Sequence, residues 1–213
     1  AKIGQRAVIG LLLGAAAISL APIFVRLSEV GPSATAFYRM LFALPVLWLW
    51  MNQDNKTDII HRKPSSFGDF ARLAMAGLFF AGDMSFWHWS IKLTSIANST
   101  LLANIAPIFI TLGGFLLFGE RFTRTFLVGM ILAMLGVVLL LGDSFAFQTD
   151  HLIGDAYGLV AAMFYAAYLM AVSRLRADFS TATVMAWSGI VTCIAMIPIT
   201  MISGESFIPP PPP

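Results

Sequence analysis

The chain reads as an all-α protein, a polytopic transmembrane helical bundle, and three observations predict it. Seven long apolar runs separated by short charged loops occupy almost all of its 213 residues. Hydrophobic residues make up 58% and charged residues 11%, with a mean hydropathy of +0.82, beyond the usual range of soluble globular domains. Ten of the thirteen Lys and Arg residues fall in every second gap between the runs. A spanning helix takes about 20 mostly apolar residues. Barrel strands are excluded because these runs are too long and too continuous for alternating segments of roughly ten residues.

The runs lie near 7–25, 34–51, 73–91, 99–118, 126–142, 156–173 and 184–202. The first contains Pro22 and runs into Arg26 without a small-residue cleavage pattern, so it is a retained span rather than a signal peptide. Lys and Arg near span ends stay on the cytoplasmic side. One side holds Lys2, Arg6, Lys56, Arg62, Lys63, Arg72, Arg121, Arg124, Arg174 and Arg176; the other holds Arg26 and Lys92. This asymmetry predicts a multi-pass inner (plasma) membrane protein with its N-terminus in the cytoplasm. The opposite face carries Glu29, Asp143, Asp150, Asp155 and Glu205. The net charge of +2 carries no message about nucleic acid, because the basic residues stand where topology requires them. Cys193 is the single cysteine and has no intrachain disulfide partner. The chain lacks an initiator Met and ends in Pro209 to Pro213, a tract that favours extended polyproline structure, so it is expected to be part of a longer protein.

An internal repeat is expected. Gly10-x3-Gly14 leads to Ser33-Ala34-Thr35-Ala36, and Gly154-x3-Gly158 leads to Ser180-Thr181-Ala182-Thr183, at offsets of 144 and 147. A five-helix unit must insert upside down the second time, which is a common plan of secondary transporters. The units are 1–143 and a partial 152–213 with two helices and the proline-rich end.

Ionisable groups are costly in hydrocarbon and generally face a cavity or a partner. Asp83, near the middle of the third span, is held neutral, paired with a cation, used to bind substrate or a proton, or hydrogen-bonded to a neighbouring helix. His88 lies about 140° away around the same helix, which argues against a direct relay within that helix. Asp83 shares its face with Phe79, Trp87 and Ser90; His88 goes with Met84, Ile91 and Lys92. Trp87 and Trp89 also suit an interfacial belt. Arg39, inside the second span, either snorkels outward, pairs with a buried acid, or offers a fork to a substrate carboxylate. Thr100, Asn104, Pro107 and Thr111 fall on one face of the fourth span, where Pro107 frees the carbonyl of Ala103. That kinked stripe suits a binding site or helix–helix hydrogen bonding. Tyr168 and Tyr157 share a face of the sixth span and line a cavity wall or pack as aromatics. Gly10 with Gly14 is read as a packing pattern, and Gly113, Gly114, Gly129 and Gly136 are expected to let the fourth and fifth spans approach closely. Glu120 and Arg121 pair with each other, cap helix ends or form a gate.

Other classes lack their residues. A seven-span retinal protein needs a lysine in its last span, and 184–202 has none. Enzymatic machinery is not visible either: the three histidines stand apart at 61, 88 and 151, without HExxH, a phosphate loop or GxSxG. No catalytic residue, cofactor or metal is expected. A membrane scaffold without transport is left open.

Pro22-Ile23-Phe24-Val25-Arg26, Gly31-Pro32 and Phe37-Tyr38-Arg39 resemble the first hairpin of the EamA family, in the drug/metabolite transporter superfamily. The likeness continues through Asn98, Asn104, Pro107, Gly119-Glu120-Arg121-Phe122-Thr123, Gly129, Gly136 and Gly154-Asp155. It implies a ten-helix transporter built of two inverted five-helix repeats and moving small metabolites, with three helices of the second repeat beyond this chain. The expected function is secondary transport, in the export direction, of a metabolite such as an amino acid; an amphipathic amine or drug is the alternative. The expected substrate site comprises Arg39, Asp83, Trp87, His88, Thr100, Asn104, Thr111 and Tyr168. The partners are then a small-molecule substrate and the lipid bilayer, with a homodimer left open and no nucleic acid.

Overall fold

The computed structural model describes residues 2–57, 60–141 and 149–208. Pro209–Pro213 and Asp143 lie outside them, as do the side chains of Lys2 and Arg6. All regular structure among the described residues is helical: α1 (Lys2–Ser19), α2 (Ala21–Leu27), α3 (Pro32–Thr57), α4 (Phe67–Leu93), α5 (Ile96–Ala103), α6 (Ala106–Phe118), α7 (Arg124–Leu141), a 3-10 turn (Thr149–His151), α8 (Leu152–Leu175) and α9 (Thr181–Ile202).

Local chemistry sets these bounds. Ser66 caps α4 by accepting from the Asp69 N–H while the Asp69 carboxylate accepts from the Ser66 N–H, a reciprocal capping box. Ser95 and Ser180 cap α5 and α9 through the N–H groups of Asn98 and Thr183. α6 stops at Gly119, whose φ of 65° is left-handed, and the Glu120 N–H returns to Gly114 O at 3.0 Å. The first and fourth apolar runs are each broken into two helices. Pro22 and Pro107 open α2 and α6, where their missing N–H groups leave no vacancy. The fourth run is thus interrupted at Asn104–Ile105 rather than kinked.

Seven spans were expected, and among the described residues five stretches are long and apolar enough to cross a membrane: Val8–Leu27, Pro32–Lys56, Ile96–Phe118, Leu152–Leu175 and Thr181–Ile202. α7 has a shorter apolar length, Arg124–Leu139. α4 is long enough but is diluted by Asp83, His88 and serines. Its position explains the dilution: α4 is the central helix, packed on α2, α3, α8 and α9, so protein rather than lipid solvates it.

Helices in lipid gain no hydrophobic driving force from meeting one another, so close packing and interhelical hydrogen bonds must hold them. Thr192 Oγ1 donates to Gly77 O at 2.8 Å, joining α9 to α4. The α4–α8 seam is aromatic, with Phe80 stacked on Tyr168 at 4.6 Å and Phe86 on Phe164 at 5.7 Å. α4 and α9 run parallel, since Gly77 meets Ser188 and Ser85 reaches Met196. α8 runs against α4, with Gly154 on Leu93 and Thr94, and α3 runs against α9, with Ser33 beside Glu205.

The glycine expectation is corrected. Gly10, Gly14, Gly129 and Gly136 face open space, Gly113 lies against Met170 of α8, and Gly114 lies against Glu120 and Phe122. Close helix contact falls instead at Gly77, where a Cβ would lie 2.6 Å from the Ser188 carbonyl oxygen. Gly77→Ala should destabilise the bundle by about 1–3 kcal/mol, because backbone cannot swing aside. Gly10→Ala should be near neutral. Thermal unfolding of the two variants in detergent checks both, and equal midpoints would contradict the packing argument.

Candidate functional site

The polar residues of α3 and α4 meet about one and a half helical turns below the Ser33 end of the bundle. Arg39 does not snorkel. Its guanidinium reaches inward to α4, with Nη1 3.1 Å from His88 Nε2 and Cζ 5.5 Å from the Trp87 ring centroid. His88 is wholly buried, and its Nδ1 lies 2.7 Å from Met84 O, one turn back along the same helix. Trp87 and His88 meet edge to face at 5.2 Å. Arg39 therefore bridges the two faces of α4 that the angular argument separates.

Asp83 lies one and a half turns below His88, half-buried at the α4–α8 seam. Among the described residues no hydrogen bond or ion pair closes on its carboxylate, although it shares an electrostatic neighbourhood with Arg39, Tyr165 and Tyr168. Tyr168 is buried, stacks on Phe80 and turns its hydroxyl toward Met185 Sδ at 3.4 Å. Five of the expected residues, Arg39, Asp83, Trp87, His88 and Tyr168, thus belong to one neighbourhood formed by α3, α4 and α8. It can hold a carboxylate on the guanidinium and a cation or proton on the aspartate.

Thr100, Asn104 and Thr111 stand elsewhere. Asn104 is exposed and donates its Nδ2 to Thr100 O at 2.8 Å, while Thr111 Oγ1 donates to Pro107 O at 2.8 Å. Both are bonds to the carbonyl one turn back along the same stretch of chain, and the Thr100 carbonyl also accepts the Asn104 N–H. Nothing in a face-periodicity argument distinguishes that use from a ligand stripe.

Both ends of the bundle carry polar junctions absent from the expected site. At the Ser33 end, Asp155 accepts from Thr94 Oγ1 at 2.7 Å and from Asn98 Nδ2 at 3.1 Å, while Arg26 donates to the carbonyls of Ile91 and Thr94 at the end of α4. Glu205 accepts from the N–H groups of Ser33 and Ala34 and so caps α3 from another element. Ser33–Ala36, Ser180–Thr183 and Gly154 stood out in the sequence only as marks of the expected repeat, and the groups that meet them did not.

At the opposite end, Asp69 receives Arg62 through both guanidinium nitrogens at 2.6 and 2.7 Å and Arg72 at 3.1 Å, and Arg72 also meets Asp178 at 2.9 Å. Both guanidinium groups lie over the buried ring of Phe179. Glu120 pairs with Arg174 at 2.8 Å instead of with Arg121. Asp69 precedes the apolar part of α4. Its Arg62 partner, then the Ser65 and Ser66 N–H groups and Arg72, hold its carboxyl well below the usual carboxylate range. A depressed folded pKa gives stability that is present above the unfolded value, near 4, and is lost as pH falls below it. The melting temperature should therefore be flat in this contribution from neutral pH down to about 5 and fall below about 4. Asp69→Asn should remove that part of the acid sensitivity, and an unchanged acid limb in the variant would contradict it.

The fold and these charges define a multi-pass, all-helical membrane protein with ionisable groups enclosed among its helices. The chain belongs to the EamA-like transporter family, whose model matches residues 5–142. An uncharacterized transporter of Archaeoglobus fulgidus is 29% identical over 186 residues, 85% of this chain and 62% of the relative. An uncharacterized membrane protein of Saccharomyces cerevisiae is 24% identical over 134 residues, 62% of this chain and 32% of that protein. A protein of known crystal structure superposes with a TM-score of 0.65 over 90% of this chain and 65% of its own, at 22% identity, which speaks to the fold alone. The chain thus spans just under two thirds of the archaeal relative and of that structure.

Proposed function

We propose that the protein is an inner-membrane secondary transporter that moves a small carboxylate-bearing metabolite, such as an amino acid, outward by alternating access. The N-terminus is cytoplasmic, and residues 1–143 and 152–213 are inverted repeats, the second partial. The opposed directions of α3 and α9 support that arrangement. The observation that carries the substrate reading is the Arg39 guanidinium, drawn inside the bundle and seated on Trp87 and His88 with Asp83 nearby. Arg presents a planar fork matched to carboxylates, and Asp83 supplies the complementary site for an ammonium or a proton. Asp83 among Tyr165, Tyr168 and Phe164 also favours a second reading, an amine substrate held without Arg39.

The test is transport into proteoliposomes containing the full-length protein, supplied with a pool of amino acids and their decarboxylated amines, with and without a pH gradient, read by mass spectrometry. Protein-dependent flux of amino acids over amines supports the first reading, and the reverse supports the second. No flux of either class removes both.

A further inference from the structure

We infer that His88 is a positioning residue for Arg39, holding its guanidinium ready for a substrate carboxylate, and is not a proton carrier. The inference rests on the transport reading and adds to it the part that a second residue plays in specificity. The argument is one of donors and acceptors. A carbonyl oxygen only accepts, so the Nδ1 that lies 2.7 Å from Met84 O carries the hydrogen. A guanidinium only donates, so the Nε2 that lies 3.1 Å from Arg39 Nη1 presents its lone pair. The two partners leave a single consistent form, the neutral Nδ1–H tautomer. A second proton on Nε2 would set an N–H against an N–H and a cation against a cation.

The groups around His88 agree with a fixed role. α3 presents Arg39, and α4 itself presents Trp87 and, farther down, Asp83. α8 presents Tyr165 and Tyr168 beyond Asp83, and α9 packs Met196 against neighbouring Met84. Asp83, the carboxylate in this neighbourhood, makes no contact with the imidazole among the described residues, and both imidazole nitrogens are already engaged. The guanidinium is less fully occupied. Among the described residues its hydrogen bonding ends at His88, with one face on Trp87. The remaining N–H groups of its five are available for a ligand. A flexible arginine would lose rotamer entropy on binding; one already held by His88 and Trp87 has less to lose.

The variants separate the two imidazole nitrogens. Gln places a polar end near the Nε2 position, Asn near Nδ1, and Leu offers neither. In proteoliposomes of the full-length protein, His88→Gln should keep the KM for amino acids close to wild type. His88→Asn and His88→Leu should raise it on the order of tenfold, the worth of one hydrogen bond to a charged group. The KM for the matched decarboxylated amines and the maximal rates should hold, and the pH profile should be the same in all four proteins. Equal behaviour of Gln, Asn and Leu, equal effects on amino acids and amines, or a shifted pH profile in His88→Gln would overturn the assignment. A second readout needs no substrate. Nitrogen NMR of the imidazole in lipid nanodiscs at about pH 7 should show the neutral Nδ1–H tautomer. A protonated or Nε2–H ring would overturn the proposal. An inactive wild type that keeps this signature would remove the transport reading while leaving the His88–Arg39 arrangement in place.

Discussion

Arg39→Ala should reduce amino-acid transport on the order of 100-fold while changing transport of the matched amines by no more than about threefold. Removing one partner of an enclosed charge pair costs about 2–5 kcal/mol, and about 3 kcal/mol corresponds to the larger figure. The asymmetry follows from chemistry: only the carboxylate-bearing member of each pair uses the guanidinium fork. The substitution also strips the donor from His88 Nε2, which is wholly buried, so some loss of stability accompanies it. Arg39→Lys separates the two effects, because an ammonium restores charge and a donor but not the planar fork. It should recover folding more than it recovers amino-acid affinity. Equal loss of amino acids and amines in the alanine variant would remove the support for a carboxylate site.

Asp83→Asn should abolish the stimulation of transport by a pH gradient while leaving the bundle folded. Asn is nearly the same size and keeps polar atoms at the site, but it cannot take up or release a proton. Asp83 is suited to that task because its carboxylate is half-buried and, among the described residues, carries no hydrogen bond or ion pair that would commit it to one state. Asp69 offers the contrast. With two guanidinium groups and two backbone N–H groups on its carboxylate, it is committed to the charged form, and its neutralisation should affect stability rather than coupling. Full gradient stimulation in Asp83→Asn would assign coupling elsewhere. Loss of stimulation with downhill exchange intact would locate it here.

Arg39, Asp83 and His88 were legible as candidates because a polar group inside an apolar run carries a cost that must be met somewhere. The angular argument also separated Asp83 from His88 around α4 correctly, since helical geometry is local. It had no means of seeing that one arginine from α3 reaches both faces. The same reasoning drew attention to Thr100, Asn104 and Thr111, but the run breaks at 104–105, and the Asn104 and Thr111 side chains bond to the backbone carbonyls of Thr100 and Pro107. Arg62 and Arg72 were read only as topology charges and Asp69 and Asp178 were not singled out, because loop residues carry no periodicity that would announce a network. Glycine was the least legible: Gly10-x3-Gly14 has the spacing of a contact and faces open space, whereas Gly77 has no matching partner in sequence and meets α9 directly.

The sequence by itself determined the helical class, the approximate apolar segments and the identity of the enclosed ionisable groups, because these follow from the balance between each residue and hydrocarbon. Only the tertiary structure decided that α4 is the centre, that Arg39 pairs with His88 in place of snorkelling, and that Asp155, Glu205 and Asp178 tie together segments far apart in the chain. The reason is that solvation acts residue by residue, whereas the choice of partner among several polar groups depends on which helices touch and at what height, and in lipid that is set by packing between whole helix surfaces.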